Sequence, residues 1–227
     1  MSHFLLPKVG YVPLPLQPSR HQGQAGTRKV RVVCNCCNNG WMNELETKAK
    51  PILEALICGH PFSITPHEQS VMATWVTKTT MTAEFLKPRE TAIPFIERNY
   101  IMSNLAPPPH WSVWIAPYVG ETWKGGGIFH HGVGIYVPPE IMQVGVKNTQ
   151  WTVLGLGRLI AVAASSTVPN FTFEFEDEER SNFTRLWPVG ISRVTWPTPL
   201  HLTDAGVNRV AQLFSNWLGI DPPSLRT

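Results

Sequence analysis

From Met42 onward the apolar positions Met42, Leu45, Ala49, Ile52, Leu53 and Leu56 recur at steps of three and four, the spacing of one helical face. Asn39 is the expected N-cap, and Glu44 and Glu46 sit early, where acids complement the helix dipole. Pro51 either kinks this helix or opens a second one. A further helix is announced by Thr65, Pro66 and Glu68, a capping box with proline at the first helical position. Val71, Met72, Trp75, Val76 and Thr79 then share a face, and "LKPRE" ends the element.

From about residue 92 the pattern changes. "HWSVWIAPYV", "GIFHHGVGIYV", "QWTVLGLGRLIAVAA" and "NFTFEFE" read as strands, separated by Gly and Pro signals. A last helix starts at Thr203 as N-cap and runs to about Leu218, with Val207, Val210, Ala211, Phe214, Trp217 and Leu218 on one stripe and Gly219 as C-cap. Upstream, residues 8–30 are rich in proline and glycine without apolar periodicity and read as a loop-rich arm, followed by the strand-like run "VRVVC". The expected architecture is α+β: an N-terminal knuckle and helix, a helical middle, and an antiparallel β-rich C-terminal region closed by a helix. The expected division is 1–60 and 61–227.

At 227 residues and 43% hydrophobic content the chain can bury a sizeable core. Its net charge of +3 is small, but the distribution is uneven. Residues 1–43 hold Lys8, Arg20, Arg28, Lys29 and Arg31 and no acid, whereas the rest of the chain has 14 basic and 16 acidic residues. A basic arm beside a near-neutral body suits phosphate contact; the plainer alternative is a solvated loop. No apolar run reaches membrane-spanning length, and no charged segment precedes the short patch "HFLLP", so the expected location is the reducing cytoplasm, without membrane association. There Cys34, Cys36, Cys37 and Cys58 are thiols or metal ligands rather than disulfides, and the sequons at Asn170 and Asn182 are chance matches.

Cys34-x2-Cys37 is the first chemical candidate. Two cysteines two residues apart on a tight knuckle supply half of a tetrahedral zinc shell; the alternative is a pair of buried thiols. With its neighbours included, "VCNCCNNGWMNELETKAKPILEALICG" resembles the second half of an HNH-type nuclease module of the treble-clef kind, in which a C-x2-C-N knuckle leads directly into a helix. The match is closest to a group of uncharacterised bacterial and phage proteins that join such a module to a longer C-terminal region.

That resemblance implies a structural zinc at Cys34 and Cys37. It implies a catalytic Mg²⁺ or Mn²⁺, with His3 in the general-base position within "MSHFLLPK" and Asn38 on the metal side. Arg20, Arg28, Lys29 and Arg31 would then meet the phosphates of nucleic acid, DNA above all. The chain departs from the pattern at three places. Ser2 stands where an acid precedes the histidine, residues 1–33 contain no first C-x2-C, and no carboxylate occurs before Glu44. A truncated or degenerate member is therefore expected. Its alternative role is as a non-catalytic phage or mobile-element protein that binds nucleic acid or a host-defence protein.

Three further stretches weigh less. "WKGGGIFHHGVGIYV" lacks the GK[ST] and following helix of a phosphate loop and reads as a glycine-rich hairpin or bulge. His130 and His131, adjacent in a strand, point to opposite faces and cannot both grip one metal. "FEFEDEERSNF" alternates Phe171, Phe173 and Phe175 with polar positions, so its carboxylates read as a solvated strand face, or as an acidic surface for a basic partner. Of the nine tryptophans, Trp75 and Trp217 fall on helical stripes, and either Trp111 or Trp114 is free to be exposed.

Overall fold

The computed structural model describes residues 32–86, 88–135, 147–175 and 177–217. In chain order these form α1 (Asn35–Asn39), α2 (Trp41–Cys58), β1 (Phe62–Ile64), α3 (Pro66–Ala83), α4 (Phe95–Asn104), β2 (Ser112–Pro117), β3 (Gly127–Val133), β4 (Thr149–Leu156), β5 (Leu159–Ser166), α5 (Asp177–Arg180), β6 (Thr184–Trp187), β7 (Val194–Trp196) and α6 (Asp204–Trp217). Two 3₁₀ turns, Glu84–Leu86 and Pro88–Glu90, lie between α3 and α4. The fold is α+β, with a β-rich C-terminal region as expected.

Five strands form one antiparallel sheet in the order β3-β4-β5-β2-β6, and β1 pairs with β7 in a separate two-stranded ribbon. Every residue of β2, β4 and β5 is buried. The reason is a sheet covered on both faces. Val113, Ile115, Leu154, Leu159, Ala161 and Ala163 join the core formed with α2 and α3, while Trp114, Ala116, Val153, Ile160, Val162 and Ala164 join the core under α6. Such strands read as continuous apolar runs without a polar alternation.

The stretch 150–164 is accordingly two strands, not one. It is a hairpin whose turn carries Gly157 at φ +54°. A Cβ there would lie 2.5 Å from the Ile57 carbonyl oxygen, and the Arg158 amide donates to that same carbonyl at 2.8 Å. The hairpin tip is thereby fastened to the end of α2. Glycine is needed both for the turn and for this close approach.

The capping box of α3 is present: Thr65 accepts from the Glu68 amide while the Glu68 carboxylate accepts from the Thr65 amide. Proline at N1 completes it. Lys78 of α3 pairs with Glu46 of α2 across the helix pair. Helix α2 runs continuously through Pro51. At its start the structure corrects the expected cap. Asn39 ends α1, and Gly40 is the cap of α2. The part of "VRVVC" that falls among the described residues, 32–34, is not a strand.

"NFTFEFE" is also corrected. Residues 171–175 form no strand; Phe173 and Phe175 are buried on the sheet beside Trp114 and Trp151, with ring centroids 5.1–6.0 Å apart. Aromatic packing therefore sets the alternation, and no strand ladder is involved. Trp111 and Trp114 do serve opposite cores, and both are buried. At α6, Thr203 accepts the Gly206 amide as expected, and Val207, Val210 and Ala211 face the sheet. The side chains of Phe214 and Trp217, and residues 218–227, lie outside the described residues.

Candidate functional site

The knuckle is built by local backbone geometry. Cys34 caps α1 with its sulfur, which accepts the Cys37 amide at 3.3 Å. The Asn38 amide returns to the Cys34 carbonyl at 3.0 Å, and the Gly40 amide to the Cys36 carbonyl at 2.9 Å. The Cys37 amide and its thiol, both donating to the Cys34 sulfur, hold the Cys34 thiol below its ordinary range, whereas the same hydrogen bond pushes Cys37 up. The Cys37 sulfur in turn lies 3.9 Å from the Met102 sulfur on α4.

Cys34 and Cys36 are exposed and Cys37 is half-buried. The buried-thiol alternative for Cys34-x2-Cys37 does not hold for Cys34, and Cys37 is only partly covered. The donor set fits zinc in kind, with two thiols on one knuckle and the Cys34 thiol held below its ordinary range. It fits only by half in number. Among the described residues no group of three His, Cys, Asp or Glu side chains could hold a metal. If zinc binds, Cys34 and Cys37 hold two of its positions.

Asn38 is exposed, and among the described residues its side-chain carboxamide bonds to the Asn39 side chain, at 3.4 Å. A lone carboxamide does not make the oxygen shell that Mg²⁺ or Mn²⁺ requires, so the described residues do not fit a catalytic divalent cation. His3, Arg20, Arg28, Lys29 and Arg31 lie outside the described residues. The structure therefore brings Cys37 and Asn38 onto one short helix with Cys34 as its N-cap, and the rest of the expected site is not among the residues it describes.

His130 and His131 are absorbed by the fold. His130 is 2% exposed, placed 2.8 Å from the Thr152 hydroxyl and 3.7 Å from the Glu84 carboxylate. His131 faces Glu90 at 3.6 Å. Glu84 is fully buried; burial pushes its carboxyl up, against the Ala92 and Ile93 amides and Arg98, which favour the charged form. These groups tie the 3₁₀ turns to β3 and α4.

A second concave region was not legible in the sequence. A cavity of about 590 Å³ lies among the start of α4, the approach to β2, residues 166–174 and β6. Glu97, 4% exposed, sits in its wall. Its carboxylate accepts the Trp111 indole N–H at 2.6 Å and meets His110 Nε2 at 2.9 Å. The cavity is also lined by Phe171, Glu174 and Arg185. Glu174 belongs to the stretch read as a solvated acidic face, and His110 follows three prolines with no pattern to mark it.

No family model matches the chain, and neither a characterised protein nor a solved structure is similar to it. No described helix is long and apolar enough to cross a membrane.

Proposed function

We propose that the chain is a nucleic-acid-associated protein built on an HNH-like knuckle, with Cys34 and Cys37 as a zinc ligand pair and the basic arm of Arg20, Arg28, Lys29 and Arg31 as its phosphate contact. One observation carries the reading. The Cys37 amide donates to the Cys34 sulfur, and the knuckle passes within two residues into an 18-residue helix packed on α3. An N–H···S bond of this kind stabilises a thiolate, which is the form a metal takes. The β-rich body, its sheet covered on both faces, is then the platform that carries the knuckle. In the catalytic form of this reading His3 is the general base and Asn38 lies beside the scissile phosphate. The second reading, binding without cutting, is favoured by the absence of any carboxylate in residues 1–43.

Plasmid nicking in Mg²⁺ or Mn²⁺ separates the two. Cutting by the parent that is lost in both His3→Ala and Asn38→Ala supports the endonuclease. No cutting, or equal cutting by all three, leaves binding alone. Zinc content tests the knuckle itself: about one zinc per chain, lost in Cys34→Ser, is expected, and metal-free protein would refute the ligand pair.

A further inference from the structure

Three sulfur atoms meet where the knuckle touches the body. The Cys37 amide lies 3.3 Å from the Cys34 sulfur, and the Cys37 thiol donates to the same atom. The Cys37 sulfur then lies 3.9 Å from the Met102 sulfur, which α4 brings from 65 residues along the chain. Met102 is 42% exposed and belongs to neither hydrophobic core, so burial does not account for its place against the thiol. With metal–sulfur bonds of about 2.3 Å, two sulfurs on one ion stand about 3.8–4.0 Å apart, in a tetrahedral or a trigonal shell. The separation of Cys37 and Met102 already has that length.

Donor type and number decide which ion suits these atoms. A closed zinc site takes four ligands from thiolate, imidazole and carboxylate groups. Beyond the cysteine pair the described residues supply none, since no group of three His, Cys, Asp or Glu side chains could hold a metal. The third donor present is a thioether, which is soft and uncharged. Thiolate and thioether together select copper(I), a monovalent ion that closes its shell with fewer ligands than zinc. Trp41 Nε1 adds an outer contact. It is buried, forms no hydrogen bond among the described residues, and stands near enough to the Cys37 thiol to favour its charged form. A metal-bound sulfur keeps a lone pair for such a donor.

We propose that Cys34, Cys37 and Met102 form a copper(I) site, with two thiolates and one thioether as its shell. The ion enters on the solvent side, where Cys34 is exposed, and binding releases the two thiol protons. Bound copper would tie α1 to α4 through Met102. Cys36, exposed on the same short helix, lies outside the shell. The inference rests on the ligand pair of the knuckle reading alone; it needs neither nucleic acid nor His3 and Asn38, and it assigns that pair a metal of different softness.

The test uses the full chain, reduced and stripped of metal, titrated with copper(I) under anaerobic conditions against the chromogenic chelator bathocuproine disulfonate. The expected result is about one copper(I) per chain, lost in Cys34→Ser and in Cys37→Ser and unchanged in Cys36→Ser. Met102→Leu should weaken binding about 10-fold or more, at least the loss that an outer-shell change brings. X-ray absorption of the loaded chain should show three sulfur neighbours, and two in Met102→Leu. Because Met102 is exposed, leucine there keeps the fold, as an unchanged thermal melt will verify. No copper held against the chelator, equal affinity in parent and Met102→Leu, or loss of binding in Cys36→Ser would overturn the proposal. The zinc reading is scored separately, by zinc content: Met102→Leu should leave it unchanged, so either metal can fail without the other.

Discussion

Asp204 is the residue whose removal the structure prices most clearly. It lies at the first position of α6 and receives three donors from the loop after β2: the Tyr118 hydroxyl, the Glu121 amide at 3.1 Å and the Thr122 amide at 3.0 Å. Tyr118 is fully buried, and its oxygen also accepts the Trp123 amide at 3.0 Å, so the network fixes the loop that places Trp123. Each hydrogen bond to a charged acceptor contributes about 1.5–3 kcal/mol, and partial exposure of Asp204 argues for the low end. Asp204→Ala should therefore cost about 2–4 kcal/mol. Urea unfolding measures it as a lower midpoint with an unchanged slope. Glu121→Ala, which removes only a surface pair to Lys124, is the control and should stay within about 0.5 kcal/mol. A loss below about 0.5 kcal/mol for Asp204→Ala would refute the reasoning.

The same group gives a pH dependence. Burial pushes Asp204 up, but the Tyr118 hydroxyl and the Glu121 and Thr122 amides outweigh it and hold the carboxyl below the usual aspartate range. A carboxyl lowered by folding contributes stability above its unfolded pKa and loses it as pH falls through the folded value. The stability gap between parent and Asp204→Asn should therefore be widest at neutral pH and close in acid.

Three other outcomes follow from separate parts of the molecule. Leu53→Ala, at a fully buried α2 position in the core shared with the sheet, should cost about 2–5 kcal/mol in denaturant unfolding. Gly155→Ala should cost about 1–3 kcal/mol, because the new methyl would lie 2.7 Å from Trp123 Cβ, and thermal melting will show it. Alkylation by iodoacetamide, followed by mass spectrometry, should modify Cys34 before Cys37, since hydrogen bonds from Cys37 lower the exposed Cys34 thiol while the same contact raises the half-buried Cys37.

Local signals carried the helical half of the fold. Thr65, Pro66 and Glu68 specify their cap by chemistry contained in four residues, and the α2 stripe is a periodicity of buried positions. The β half was harder because β4 and β5 are buried on both faces, which erases the polar alternation and hid the hairpin turn at Gly157. Strands β1, β6 and β7 are three or four residues long and exist through pairing with distant partners, such as Phe62 with Trp196. At the candidate sites the contrast is similar. Cys34 and Cys37 were visible because they stand close together in sequence. Glu97 and His110 are thirteen residues apart, and Glu174 and Arg185 join them through the sheet, so no motif could have assembled that cavity.

The central claim is that the basic arm meets nucleic-acid phosphates. Its most direct measurement is the salt dependence of binding to a duplex DNA, comparing the parent with a variant carrying Arg28→Ala, Lys29→Ala and Arg31→Ala together. Each lost phosphate contact should flatten the slope of log affinity against log salt by about 0.9, so the triple variant should lose roughly 2–3 units of slope. A parent with a flat salt response, or a variant with the parent's slope, would contradict the account.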